Sequence, residues 1–161
     1  GEYIAHFGGR GNNEGSLNSS HGIAIDPRGG EETLLVTSRE DACIKRFTLA
    51  GEFIESISIP GAYMFRPVIH DENLYAAVCW SNKLYSTNTG FVMILDRTNR
   101  VVSNPGGTEP EYVNGTVRKL RQEIPLFSHC HDVCVDNDEN IYVCEWNAQG
   151  RLPIKLERIT N

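Results

Sequence analysis

The chain has 161 residues, of which 40% are hydrophobic and 22% are charged. This is long and apolar enough to bury a core without disulfide or metal cross-links, and too hydrophobic for a disordered segment. Lys and Arg number 15 against 21 Asp and Glu, and the net charge of -6 argues against the basic surface of nucleic-acid-binding proteins. No apolar run approaches the roughly 18 residues of a transmembrane helix. We therefore expect a soluble chain that binds neither nucleic acid nor membrane.

The clearest pattern in the sequence is an internal repeat. His21-Gly22-Ile23-Ala24-Ile25-Asp26 and His131-Asp132-Val133-Cys134-Val135-Asp136 share an alternation of apolar residues between a histidine and an aspartate. Between them, Glu72-Asn73-Leu74-Tyr75 matches the later Glu139-Asn140-Ile141-Tyr142, so a middle copy is present without the leading histidine. Alternation of this kind, ended by turn-forming residues, predicts β-strands. Repetition along a chain is typical of stacked structural units.

Each copy divides into short β runs separated by turn residues. We predict a first unit over 21–59, a second over 66–103 and a third over 131–160. The predicted strands are 22–25, 33–37, 43–48 and 53–59 in the first unit, 67–69, 74–79, 91–96 and 100–103 in the second, and 132–135, 141–145 and 154–159 in the third. Four antiparallel strands per unit is the composition of a propeller blade. The third unit is one strand short.

Two further segments complete the division of the chain. Residues 1–7 resemble residues 51–57, the fourth strand of the first unit, and are therefore expected to form an outer strand of a neighbouring blade. The connection over 104–128 does not follow the repeat. It carries Val117, Leu120 and Ile124 at helical spacing, which predicts a short helix over 116–123. Such an insert is either a lid or a surface excursion.

Segments 20–26 and 131–143, together with the approach over 7–15, resemble NHL repeats. This resemblance implies an all-β, six-bladed β-propeller of which this chain carries three blades, or half of the ring. NHL propellers include protein-binding, RNA-binding and catalytic members, so the resemblance alone leaves the function open. An open half-ring would expose apolar faces and strand edges. We expect the other half to be a second copy of this chain or a missing N-terminal half.

In a propeller the first strand of each blade lines a central channel, and the loops after the second strands ring its mouth. The resemblance therefore implies a ligand site at that mouth. It would place His21 and His131 near the axis as candidate ligands for zinc or another divalent metal. Arg39 would follow a second strand. Trp80, Glu145 and Trp146 would ring the same mouth as candidate contacts for a small molecule or peptide.

An enzymatic alternative follows from a more distant similarity to the peptidylglycine amidating lyase propeller. In that family histidines at the start of first strands hold a catalytic zinc, and His21 and His131 match two such positions. Arg39 resembles the arginine of that family and is the candidate catalytic residue, able to hold a carboxylate or a developing oxyanion. The family's third ligand and its tyrosine base have no match in this chain. The sequence thus supports a binding scaffold, with a metal-dependent lyase or hydrolase as the alternative.

Overall fold

A computed structural model describes residues 1–159 and shows an all-β fold, with no α-helix in that span. Its one helical element, a 3-10 turn over Arg39–Asp41, is too short to cross a membrane. The strands are β1 (Ser20–Asp26), β2 (Thr33–Ser38), β3 (Cys43–Thr48), β4 (Phe53–Ser58), β5 (Ala62–His70), β6 (Asn73–Ser81), β7 (Phe91–Leu95), β8 (Val101–Ser103), β9 (Tyr112–Val113), β10 (Thr116–Val117), β11 (Cys130–Val135), β12 (Ile141–Glu145) and β13 (Ile154–Leu156). Thr160, the last residue of the predicted third unit, lies outside the described residues.

The strands form four antiparallel sheets in which neighbours in sequence are neighbours in space. The first sheet has the order β1-β2-β3-β4, the second β5-β6-β7-β8 and the third β11-β12-β13. A two-stranded ribbon of β9 and β10 lies in the connection between the second and third sheets. The first strands bring the sheets together, because β5 packs against β1 on one side and against β11 on the other.

Burial explains the sequence pattern of each sheet. The second sheet is covered on both faces, and β6 accordingly reads as a nearly continuous apolar run that is buried along its length. The third sheet is covered on one face, and β12 alternates between buried and exposed residues. One core packs against the first and second sheets and includes Leu35, Ile44, Met64, Val78, Phe91 and Leu120. The other packs against the second and third sheets and includes Tyr75, Val92, Phe127, Val133 and Val143.

The predicted helix over 116–123 is wrong. Thr116–Val117 is strand β10, and the following residues bond to distant backbone groups instead of to each other. The N–H of Leu120 donates to the carbonyl of Pro60, and the N–H of Glu123 donates to the carbonyl of Gly106. Val117 and Leu120 are buried as the spacing suggested, but they reach the core from an irregular segment. Apolar spacing therefore identified buried positions without identifying the backbone that carries them.

Residues 1–7, predicted as an outer strand, form no strand in this chain. Their side chains up to His6 are exposed, and Phe7 lies against the first sheet, with its ring centroid 5.0 Å from that of Phe47. A Cβ at Gly51 would stand only 2.7 Å from the Cβ of Phe7, so this glycine leaves the room in which the ring lies. The N-terminal segment is therefore anchored at one end and unpaired along the rest of its length.

Candidate functional site

The three first strands share one irregularity at the same end. The pairing register shifts between Ser20 and Ile23 in β1, between Met64 and Pro67 in β5, and between Cys130 and Asp132 in β11. A bulge of this kind turns a side chain away from the plane of the sheet. The residues inside the three irregular stretches include His21, Phe65 and His131.

These three rings contact one another. The imidazole of His21 stacks on the ring of Phe65 with centroids 3.7 Å apart and planes within 8°. His131 meets Phe65 edge to face at 4.5 Å, and the two imidazole centroids are 5.7 Å apart. Burial lowers the pKa of His21, and the positive charge of Arg39 and the nearby His131 lower it further. His21 is therefore a neutral nitrogen donor or acceptor near neutral pH.

Arg39 follows β2 in the 3-10 turn and lies over two aromatic rings. Its guanidinium carbon is 5.4 Å from the centroid of Phe65 and 5.0 Å from that of Trp80. Its Nη2 donates to Oγ of Ser19 at 2.9 Å and lies 3.7 Å from Oε1 of Glu40. Stacking on aromatic faces suits the planar guanidinium and holds it in place. Arg39 therefore presents a fixed positive charge beside the paired imidazoles.

The aromatic contacts continue from Trp80 at the end of β6. Trp80 is buried and meets the half-exposed Trp146 at 6.4 Å and Tyr85 at 4.8 Å between centroids. The hydroxyl of Tyr85 donates to Oε1 of Glu40 at 2.9 Å. Trp146 in turn meets the buried ring of His129 at 5.6 Å. These aromatic rings therefore form one continuous group, in which neighbouring rings meet at steep angles.

Glu145, the last residue of β12, is the buried acid of the region, with a side chain that is 1% exposed. Its Oε1 accepts hydrogen bonds from the backbone N–H groups of Ser128 and His129, while the nearest cation to Oε2 is Nη1 of Arg151 at 3.7 Å.

Burial raises the pKa of the Cys79 thiol to about 12, and although Arg39 opposes this shift, the negative charge of Glu145 adds to it. Cys79 is therefore an unreactive packing residue.

The residues just described form one group of neighbouring side chains, here called the rim cluster. Its members are His21, Arg39, Phe65, Trp80, His129, His131, Glu145 and Trp146. Within residues 1–159, four buried side-chain atoms have no hydrogen-bond partner, and three of them belong to this cluster: Nε of Arg39, Nδ1 of His129 and Oε2 of Glu145. Buried polar groups are almost always hydrogen-bonded in folded proteins. The cluster thus concentrates unmet hydrogen-bonding capacity at one end of the sheets.

The metal hypothesis is only partly matched by this geometry. The two imidazoles predicted as ligands do come together, with ring centroids 5.7 Å apart and planes at 80°. Nevertheless, no group of three or more His, Cys, Asp or Glu side chains in residues 1–159 is arranged to hold a metal. Zinc sites in proteins use three or four protein ligands. His21 and His131 do not make a complete metal site without donors from elsewhere.

All six predicted site residues lie in the rim cluster. What the sequence reasoning missed is the role of Phe65, which occupies the position of the missing histidine in the middle repeat and contacts both imidazoles. His129 precedes β11 and is buried against Trp146, a contact that the sequence pattern did not indicate. The aromatic residue at position 65 was the feature of the sequence that could have indicated this role.

No family model matches the chain, and no curated protein matches it either. The resemblance to NHL repeats and to the amidating lyase therefore stays a prediction from the sequence.

Proposed function

We propose that this chain is a three-blade segment of an NHL-type β-propeller and that it acts as a binding scaffold, with the rim cluster as its ligand site. Support for the propeller comes from three consecutive antiparallel sheets whose first strands pack side by side, with apolar cores between the sheets. In such an arrangement the ends of the second strands face one mouth of the ring. Arg39, Trp80 and Glu145 follow or end those strands.

The observation that carries the proposed site is the set of three buried polar atoms in the rim cluster that have no hydrogen-bond partner, of which only Oε2 of Glu145 has a cation within 4 Å, Nη1 of Arg151. Nε of Arg39 can donate a hydrogen bond, and Oε2 of Glu145 can accept one. The half-exposed face of Trp146 offers a flat apolar surface beside them. Both atoms are buried, so a small molecule or peptide end that carries an acceptor and a donor on a flat or apolar body would satisfy them once the side chains that cover them move aside.

Tryptophan fluorescence tests this proposal directly, because the only two tryptophans of the chain, Trp80 and Trp146, are both in the rim cluster. Free amino acids, dipeptides and simple sugars would be titrated while emission is followed. We expect at least one class to bind, and Arg39→Ala or Glu145→Gln to weaken it about tenfold or more, since each removes one charged hydrogen bond worth about 1.5 to 3 kcal/mol.

Arg97→Ala is the matched control, because Arg97 is an exposed arginine whose ion pair is with Glu72, away from the rim cluster. Its affinity for the same probe should equal that of the unaltered chain. The proposal fails when none of these probes changes the emission at millimolar concentration, or when a binder is indifferent to both rim substitutions.

A metal-dependent lyase or hydrolase is the second candidate, and the observation in its favour is the pair of imidazoles 5.7 Å apart. In that case His21 and His131 would supply two nitrogen ligands and Arg39 would hold a substrate oxyanion or carboxylate. Zinc titration by calorimetry would separate the two candidates. Stoichiometric binding that His21→Ala and His131→Ala abolish and His70→Ala preserves favours the metal, while no zinc uptake removes it.

A further inference from the structure

The third sheet is one strand shorter than the first and second. It ends at β13, a strand of three residues whose outer edge has no partner within residues 1–159. Ile154 and Leu156 nevertheless pack onto the core shared with the second sheet, so β13 is a genuine part of the fold. An uncovered edge of this kind is a template for a further strand.

The same chain carries a strand-like segment with no partner. Residues 1–7 read Gly-Glu-Tyr-Ile-Ala-His-Phe, and residues 51–57, which include most of β4, read Gly-Glu-Phe-Ile-Glu-Ser-Ile. The strand β4 is the fourth strand of the first sheet. Tyr3 and Ile4 are 74% and 92% exposed, although their counterparts Phe53 and Ile54 lie in a paired strand. The segment therefore has the sequence of a fourth strand without a sheet to join.

This segment is poorly placed to complete the third sheet of its own chain. Phe7 anchors it to the face of the first sheet that looks away from the second, through contact with Phe47. The second sheet lies between the first sheet and the third, since β5 contacts both β1 and β11. Pairing between residues 1–7 and β13 is therefore expected between two molecules.

The two outer faces of the arc also lack cover. On the first sheet, Ile23 and Ile25 are each 52% exposed, and a groove of about 450 Å³ is lined by Ile23 and Phe7. On the third sheet, the face opposite the core exposes the thiols of Cys134 and Cys144 together with Tyr142. Exposed apolar residues grouped in this way are typical of a protein interface.

We propose that two copies of this chain associate about a two-fold axis, with residues 1–7 of each copy adding as the fourth strand beside β13 of the other. The inference rests on the proposed propeller architecture, in which three sheets from each copy make a ring of six. Every contact occurs twice and the ring closes, as expected for a two-fold dimer. The partner would also bring its own paired histidines to the common axis, where donors are lacking for a metal.

Light scattering coupled to size-exclusion chromatography tests the dimer on the full chain. We expect a mass twice the 18.0 kDa of the single chain at micromolar concentration. Ala5→Pro removes a backbone donor from the added strand at the position that corresponds to Glu55, which pairs with Arg46 in the first sheet, and should raise the dimer dissociation constant at least tenfold. Because Ala5 is exposed and lies in no strand of its own chain, this variant should keep the fold, and the far-ultraviolet circular dichroism should be unchanged.

Ala5→Ser is the matched control, since it changes the same exposed side chain and keeps the backbone donor. It should leave the dissociation constant unchanged. A monomeric mass, a mass larger than a dimer, or equal dissociation of Ala5→Pro and the unaltered chain would overturn the proposal. A monomer that still binds a probe through Arg39 and Glu145 would reject the dimer and keep the proposed ligand site. A dimer that binds no probe would keep the proposed association and reject the ligand site.

Discussion

The first hairpins of the first and third sheets begin from the same pattern and reach different contacts. Each carries an aspartate at the end of its first strand: Asp26 is the last residue of β1, and Asp136 directly follows β11. Asp26 is buried and its carboxylate accepts hydrogen bonds from the guanidinium groups of Arg28 and Arg46. Asp136 is bonded within its own hairpin, to the N–H groups of Asp138 and Asn140 and the hydroxyl of Tyr142.

The residue two positions after the aspartate makes the difference. Arg28 is buried beside Asp26 and also donates to the carbonyls of Glu72 and Asp96 and to the side chain of Asn99, all on the second sheet. In the third sheet this position is Asp138, which carries no donor that could reach a neighbouring sheet. The shared aspartate thus organises a turn in both places, and only an arginine converts it into a joint between sheets.

The largest test of this comparison is Asp26→Asn. The substitution leaves Arg28 without a counterion in a buried place, while Arg46 keeps its ion pair with Glu55. Removing one partner of a buried ion pair costs about 3–5 kcal/mol. Urea unfolding should show this loss in the free energy of unfolding. Asp136→Asn is the matched control and should lower the unfolding midpoint far less. Equal losses for the two variants would show that the burial of Asp26 does not matter.

A second test concerns the residue after the repeat histidine, Gly22 in the first hairpin and Asp132 in the third. A Cβ at position 22 would stand 2.3 Å from the Cα of Arg66, so β1 and β5 would have to separate. We expect Gly22→Ala to cost about 2 kcal/mol, as is common for overpacking. Asp132→Ala, which removes an exposed ion pair with Arg66 and a local hydrogen bond from the N–H of Val133, should cost well under 1 kcal/mol by the same unfolding measurement. A neutral Gly22→Ala would contradict the close approach of the two strands.

Arg28→Lys addresses the joint between the first two sheets. Lysine keeps the charge beside Asp26 but lacks the planar set of donors that reaches Glu72, Asp96 and Asn99. We expect a loss of about 1–2 kcal/mol in thermal or urea unfolding. Asp138→Ala at the matching position of the third hairpin should change nothing measurable. If Arg28→Lys has the same free energy of unfolding as the unaltered chain, the hydrogen bonds to the carbonyls of Glu72 and Asp96 contribute nothing to stability.

The smallest expected effect is a change in how the free energy of unfolding depends on pH in acid. Burial alone raises the pKa of Asp26, but hydrogen bonds from Arg28 and Arg46 outweigh it and bring the pKa down to about 2. A carboxyl with a lowered pKa in the folded state stabilises the protein above its unfolded pKa of 3.8, and this stabilisation is lost as the pH falls towards 2. Unfolding free energy measured from pH 5 to 2 should therefore fall less steeply in Asp26→Asn. An unchanged slope would contradict the assignment.

The sequence predicted the strands well where alternation and turn residues agree. The predicted strand over 43–48 coincides with β3, and the predicted strand over 33–37 lacks only the last residue of β2. It failed over 116–123, where backbone groups bond to Pro60 and Gly106. Those partners are more than ten residues away, and no local pattern specifies them. Tertiary hydrogen bonds decided the conformation there.

The candidate site was predicted in the same uneven way. Repetition identified His21 and His131, and position after a second strand identified Arg39, Trp80 and Glu145. Phe65 was passed over because its ring is chemically ordinary, although it stacks on one imidazole and meets the other edge to face. The unpartnered atoms of Arg39 and Glu145 could be found only in three dimensions, since burial and hydrogen bonding depend on what surrounds a side chain.

The reactivity of the five cysteines indicates whether the chain is folded and whether its third sheet is covered. Cys43, Cys79 and Cys130 are buried, while Cys134 and Cys144 face outward on the third sheet. A thiol reagent should therefore modify two positions in a folded single chain and all five after denaturation. If the third sheet is covered by a second molecule, even those two become slow to react. Counting modified sulfurs by mass spectrometry would then distinguish an open arc, a closed ring and an unfolded chain in one sample.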